Sequence, residues 1–242
     1  MSKNNYTDLG FMKKNVEWGA HIVFLYENES DLLNIFTPFF ATGLKNNELC
    51  IVVYPNLSLK QKLEESLAKL IDLKGFIKEK KIIFVYYKDF YFENNILKKE
   101  KIYKFIDKKI NHIGFEDIDG LRTAGDMSWF KDKSFKKFLV YERGLTEKYS
   151  KAHTIIMCAY PIKKLPIQDL IDVIQSHTLI LYNKNEKFYL SETTERRVLE
   201  EKIEDLERFS EAATNRELRM IELKKNIAEL EKELKELKEE AQ

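Results

Sequence analysis

Two histidines and two cysteines, His21, His177, Cys50 and Cys158, carry donor atoms suited to a zinc-type site, and each lies in or beside an apolar run. Their spacing argues the other way. None belongs to a close pair of the Cys-x-x-Cys kind that marks metal ligation in a sequence, and buried cysteine ordinarily behaves as a small apolar residue. The expectation is therefore no metal and no cofactor. No nucleophile, base and orienter are recognisable together either, so the chain reads as no enzyme.

Glu142 is the most informative charge. In "SFKKFLVYERGLTEKY" the apolar face runs Phe135, Phe138, Leu139, Glu142, Leu145, Tyr149, which turns this carboxylate toward the covering sheet. A buried carboxylate must be paired, hydrogen-bonded or protonated. Two uses are open: an ion pair with Arg122, which would be structural, or reception of a ligand's hydroxyl or amine.

Four of five strand-like runs end in tyrosine: Tyr26, Tyr54, the pair Tyr86 and Tyr87, and Tyr160. Trp129 closes the fifth, after Asp126 and Ser128. Ligands of open α/β sheets bind beyond the carboxyl ends of the strands, so these rings are expected to crowd a rim suited to a small organic molecule. A polyphosphate is disfavoured. Where a phosphate loop would follow the first strand, the chain has Tyr26, Glu27, Asn28, Glu29, Ser30 and Asp31, with no glycine and no lysine. The carboxylates of Glu29 and Asp31 serve the helix start and repel phosphate.

The elements that must position these groups are legible as an alternation. Strand-length runs "HIVFLY", "LCIVVY", "KIIFVYY", "LRTAGDMSW" and "TIIMCAY" are mostly continuous in apolar residues, as in parallel sheets buried on both faces. Helix-length segments lie near residues 30–44, 58–72, 96–112, 132–150 and 165–176. Ser58 with Gln61 offers a capping box for the second, and Pro38 should kink or restart the first. "TLILY" and "KFYL" read as a closing hairpin. The fold expected is α/β with a mainly parallel sheet between helical layers over residues 1–190.

The 242 residues are 44% hydrophobic, enough for a packed core, and carry a net charge of +1. That balance hides an asymmetry: residues 191–242 hold 16 acidic and 11 basic side chains, against 24 and 30 in the rest. The densest basic stretch, "LKKEKIYKFIDKKI", interleaves lysines with a helical apolar stripe and reads as a solvated helix face, so no nucleic acid is expected as a partner. No apolar run approaches the ~20 residues of a membrane span. With a polar start and no disulfide framework, a cytoplasmic location is expected.

From about residue 193 the texture changes. Leu199, Leu206, Ala213, Met220, Ile227 and Leu234 recur every seven residues, with Lys202, Phe209, Arg216, Leu223, Leu230 and Leu237 as the companion series. This is the seam of a coiled coil over residues 193–242, expected to form a parallel homodimer. Lys202, Ala213 and Arg216 weaken its first half.

In order, "GAHIVFLYENESDLLNIFTPFFATGLKNNELCIVVYP", "GDMSW", "VYERGL", "IIMCAYP" and "QSHTLI" resemble the methanogen/methylotroph sensory (MEDS) domain across roughly residues 17–182. The resemblance implies a RecA-like three-layer α/β/α fold without a phosphate-binding loop. It also implies recognition of simple hydrocarbon derivatives ahead of PAS, histidine-kinase or DNA-binding modules. On the motif positions it makes His21, Cys50, Asp126, Trp129, Glu142, Cys158 and His177 candidates for ligand recognition or for the scaffold around it; Tyr26 and Tyr54 join them from the strand ends. The tail resembles signalling helices, and its heptads reach Gln242 with no phosphoacceptor histidine among them, so a longer sensor or a separate output partner is expected. Two other readings compete: a degenerate ATPase using Glu142 or Asp126, and a protein-docking adaptor.

Overall fold

The computed structural model describes residues 5–113, 118–130, 135–185 and 187–193, together with 208, 214, 216, 217 and 219–227. The chain divides into two units, Met1–Thr193 and Thr194–Gln242.

The first unit opens on an antiparallel ribbon, β1 (Tyr6–Asp8) with β2 (Asn15–Glu17), which the alternation had not revealed. The main strands follow: β3 (His21–Tyr26), β4 (Leu49–Tyr54) and β5 (Ile82–Tyr86), then, after a small ribbon of β6 (Phe92–Glu93) and β7 (Ile96–Leu97), β8 (Leu121–Asp126), β9 (Thr154–Pro161), β10 (Leu179–Lys184) and β11 (Lys187–Glu192). Their order across the seven-stranded sheet is β11-β10-β3-β9-β8-β4-β5, parallel throughout except for the closing β10–β11 hairpin. The α/β class and the mostly parallel sheet are thus as expected.

Strand residues alternate between two cores. Ile22, Phe24, Cys50, Val52, Ala124, Met157 and Leu181 pack under α1 (Glu29–Lys45), α2 (Leu57–Ala68) and α3 (Leu73–Lys78). Val23, Leu25, Ile51, Val53, Ile156, Cys158 and Tyr160 pack under α4 (Tyr87–Tyr91), α5 (Lys99–Ile113), α6 (Phe135–Tyr149) and α7 (Ile167–Gln175). Helices on both faces explain why β3, β8 and β9 are buried at every position.

Local details differ from expectation for identifiable reasons. α1 runs unbroken through Pro38, because Phe36, Phe39 and Phe40 are buried on both sides of it. Burial at roughly 1.5–3 kcal/mol each outweighs the ~3 kcal/mol cost of an internal proline. The cap of α2 is Asn56, whose side chain accepts from the Leu59 N–H at 2.9 Å, and not Ser58. α1 has the capping box instead: Asn28 accepts from the Asp31 N–H, and Asp31 accepts in return from that of Asn28. The run "LRTAGDMSW" leaves the sheet at Asp126, whose carboxylate accepts the Ser128 N–H at 2.9 Å and turns the chain.

Beyond residue 193 most of the heptad seam falls outside the described residues. Residues 219–227 are helical, and Met220, Leu223 and Ile227 are exposed there.

Candidate functional site

Four of the residues singled out from sequence meet beneath α6. His21 is the first residue of β3, Cys158 lies in the adjacent β9, Glu142 is mid-way along α6, and His177 lies between α7 and β10, the other neighbour of β3. Their donor atoms all lie within 4.8 Å of one another, and all four side chains are buried. Glu142 Oε2 is the hub: His21 Nε2 is at 3.1 Å, His177 Nε2 at 3.5 Å and Cys158 Sγ at 3.4 Å. His21 Nε2 and Cys158 Sγ are 3.5 Å apart, and the two imidazole centroids 4.0 Å.

The remaining ring nitrogens fix the tautomers. Thr146 Oγ1 gives its only proton to the Ser176 carbonyl at 2.9 Å, so it accepts from His21 Nδ1–H at 2.8 Å. His177 Nδ1 faces the Val173 carbonyl at 2.7 Å, which can only accept. Both imidazoles therefore hold their proton on Nδ1 and aim a bare Nε2 lone pair at Glu142. Burial lowers the pKa of each to about 3, and for His177 the neighbouring His21 adds to this. At neutral pH the histidines are uncharged, so their contacts with Glu142 are not ion pairs.

Burial likewise raises Glu142, offset in part by His177, Cys158 and the Tyr160 hydroxyl that donates to Oε1 at 3.1 Å. Burial, then the carboxylate, push the Cys158 thiol well up. Two imidazole lone pairs and a carboxylate oxygen thus converge, and His177 Nε2 has no hydrogen-bond partner among the described residues. Such a group is costly to bury, by about 1–3 kcal/mol.

Arg122 is not the partner of Glu142. It points to the opposite face of the sheet, where Nε donates to Glu48 Oε2 at 2.6 Å and a second nitrogen to Glu48 Oε1 at 2.8 Å. It also donates to the carbonyls of Phe39 and Asp8, with the Thr7 hydroxyl oxygen at 3.1 Å sharing in the second of these contacts, which ties the β1–β2 ribbon to the domain. Cys50 lies on this face as well, its thiol pushed up by burial, and so is separated from the other three donors.

A second polar group marks the carboxyl ends of the strands. The Tyr26 hydroxyl donates to Asp126 Oδ1 at 2.7 Å, and the Ser128 hydroxyl to Oδ2 at 2.7 Å. Burial raises both Tyr26 and Asp126, and their hydrogen bonds moderate the carboxyl. Alongside runs a chain of rings. Tyr54 meets Tyr86 at 5.7 Å, Tyr86 meets Tyr87 at 4.8 Å, and Tyr87 stacks on Trp129 at 4.8 Å. Trp129 also packs on Tyr91, Phe130 and Phe138. The rim is thus aromatic, although Tyr160, expected there, turns inward to Glu142. Two open clefts beside α5, of about 700 and 520 Å³, contain none of the nine candidate residues.

Sequence reasoning missed the supporting groups. Thr146 lies one helical turn after Glu142, on the same face, and that spacing was the available signal. The backbone contacts of Ser176 and Val173 carried none. Missed too was the seam joining β3 to the end of the domain. Thr178 Oγ1 and N both donate to the His21 carbonyl at 2.9 Å, and the Thr193 hydroxyl donates to the His177 carbonyl at 2.7 Å.

Residues 20–178, which span every one of these candidates, match the family described as MEDS, "MEthanogen/methylotroph, DcmR Sensory domain". The chain belongs to the MEDS family. No curated protein matches the sequence. Among solved structures the MEDS chain is similar to the uncharacterized protein PH0321 from Pyrococcus horikoshii, solved in complex with an unknown peptide. The TM-score is 0.53 at 14% identity, covering 72% of this chain and 83% of that one. It is also similar to the KaiC-like protein PH0186 from Pyrococcus horikoshii OT3, with TM-score 0.49 at 14% identity, covering 74% and 82%. These likenesses concern fold. The family match points to a sensory role. No helix among the described residues is long and apolar enough to cross a membrane.

Proposed function

We propose that this MEDS domain is a non-enzymatic, cytoplasmic input module that binds a small organic molecule, a simple hydrocarbon derivative such as a methylated compound, at the carboxyl ends of its parallel strands. The observation that carries the reading is the juxtaposition at that edge of a ring chain, Tyr54, Tyr86, Tyr87 and Trp129, with the hydrogen-bonded Tyr26–Asp126–Ser128 group. Aromatic walls with a few oriented polar atoms suit a small, largely apolar ligand. The acidic helix start at Glu29 and Asp31 opposes a nucleotide phosphate. Output passes through a homodimeric coiled coil to a PAS, histidine-kinase or regulator module; the apolar series Met220, Leu223 and Ile227, exposed in the single chain, supports that route.

A thermal-shift screen against methylated amines, thiols, alcohols and haloalkanes, with Mg-ATP on the same plate, tests this reading. A ligand that binds only the folded state raises the melting temperature by mass action. The expected result is a rise with one organic class, lost in Trp129→Ala. A rise with Mg-ATP alone would replace the sensor with the degenerate ATPase.

A further inference from the structure

We propose that His21, Glu142, Cys158 and His177 form a closed, four-donor site for one zinc-class divalent cation. Sequence spacing argued against metal because the donors lie far apart along the chain. The fold cancels that distance by placing β10, β3 and β9 side by side under α6.

Three independent features of the site agree. The first is geometry. Tetrahedral zinc with bonds of about 2.0–2.3 Å sets its ligand atoms roughly 3.3–3.8 Å apart. The contacts around the hub are 3.1, 3.4, 3.5 and 3.5 Å, and no pair exceeds 4.8 Å. The second is the direction of the lone pairs. Thr146 and Val173 hold the protons of both imidazoles on Nδ1, leaving two Nε2 lone pairs aimed at a carboxylate oxygen. A proton on Glu142 would answer only one of them, and His177 Nε2 has no hydrogen-bond partner among the described residues. A cation at the centre answers all four donors. These Nδ1 contacts are also the outer-shell bonds that orient metal-ligating histidines.

The third is charge. A divalent ion with one thiolate, one carboxylate and two neutral imidazoles is neutral overall, as a fully buried site requires. Binding releases the Cys158 proton, and the Glu142 proton where one is present, to solvent. A mixed nitrogen, sulfur and oxygen set favours zinc or its borderline neighbours over magnesium or calcium. With all four positions supplied by protein, the ion pins β3, β9, α6 and the α7–β10 connection together and needs no organic ligand.

The test uses the full chain expressed in zinc-supplemented medium and purified without chelator or added organic compound. Elemental analysis is expected to give one zinc-class ion per chain. After exchange, cobalt(II) is expected to give tetrahedral visible bands and a thiolate-to-cobalt charge-transfer band. Cys158→Ser removes that charge-transfer band and Cys50→Ser keeps it. Trace metal only, with no cobalt bands in protein that is folded by circular dichroism, overturns the proposal, as does a band that follows Cys50. The wild-type measurements decide the matter even where Cys158→Ser fails to fold. A failed organic-ligand screen leaves this result standing, and absence of metal leaves the sensor reading standing.

Discussion

Arg122 and Glu48 form a two-pronged ion pair, at 2.6 and 2.8 Å, that is fully buried on the sheet face opposite Glu142. Its guanidinium is also bonded to two main-chain carbonyls, so removing the carboxylate strands a positive charge in the core. Glu48→Ala is expected to cost about 3–5 kcal/mol, measured by urea unfolding. A loss below about 1 kcal/mol, the range of exposed pairs, would mean that water reaches the guanidinium.

Gly43 lets α1 approach this pair. A Cβ there would lie 2.8 Å from Arg122 Nε and 3.1 Å from Cys50 Sγ. Arg122 is held by its bonds and cannot swing aside. Gly43→Ala is therefore expected to destabilise by about 1–3 kcal/mol through overpacking, against the usual gain from alanine in a helix. A more stable variant in the same unfolding assay would refute the packing argument.

Asp126 gives a pH signature. Burial raises its folded carboxyl above the ordinary 3.8, so the folded state holds a proton that the unfolded state has released. This contribution to stability is full below the ordinary value and is lost as pH rises through the raised one. Asp126→Asn removes the charge. Its amide oxygen still accepts from Tyr26 and the Ser128 N–H, and its NH2 group can donate to a rotated Ser128 hydroxyl. The variant is expected to match or exceed wild type at pH 7, with the difference shrinking toward pH 4 in melting temperature. A variant less stable at pH 7 than at pH 4, relative to wild type, would reverse the sign.

Thr146 acts on the tetrad through His21 Nδ1. Thr146→Val leaves that N–H without its acceptor and frees the ring to exchange tautomers. Metal affinity is expected to fall about 10–100-fold, read by competition with a chromophoric chelator, while Cys50→Ser stays near wild type. Equal affinities for Thr146→Val and wild type would remove Thr146 from the site.

The coil is tested by size. Leu223→Glu and Ile227→Glu place charge on the exposed apolar series and are expected to convert a dimer to a monomer in light scattering. A wild-type monomer at all concentrations would end the dimer reading.

The sheet was legible because β3, β4 and β9 are continuous apolar runs, a pattern that only two-sided burial explains. Glu142 was legible for a related reason, as a charge on an otherwise apolar helical face. Its company was not. Whether His21 meets Cys158 or Cys50 depends on strand order and on which residues share a face, and neither property is local in sequence. Arg122 looked available to Glu142 until alternation along β8 placed it on the other side. The caps show the same limit in miniature: Ser58 and Asn56 are both competent acceptors, and only the start of α2 selects between them.

The bond from the Thr193 hydroxyl to the His177 carbonyl makes the end of the first unit a latch. Thr193 and His177 are sixteen residues apart in the chain, yet a single 2.7 Å link couples them, and a second runs from the Thr193 N–H to the Thr178 carbonyl. In mechanical terms the polypeptide leaves the sheet on a short crank whose pivot is the main chain of a tetrad histidine. A shift of the His177 main chain carries the end of the first unit with it through these two bonds.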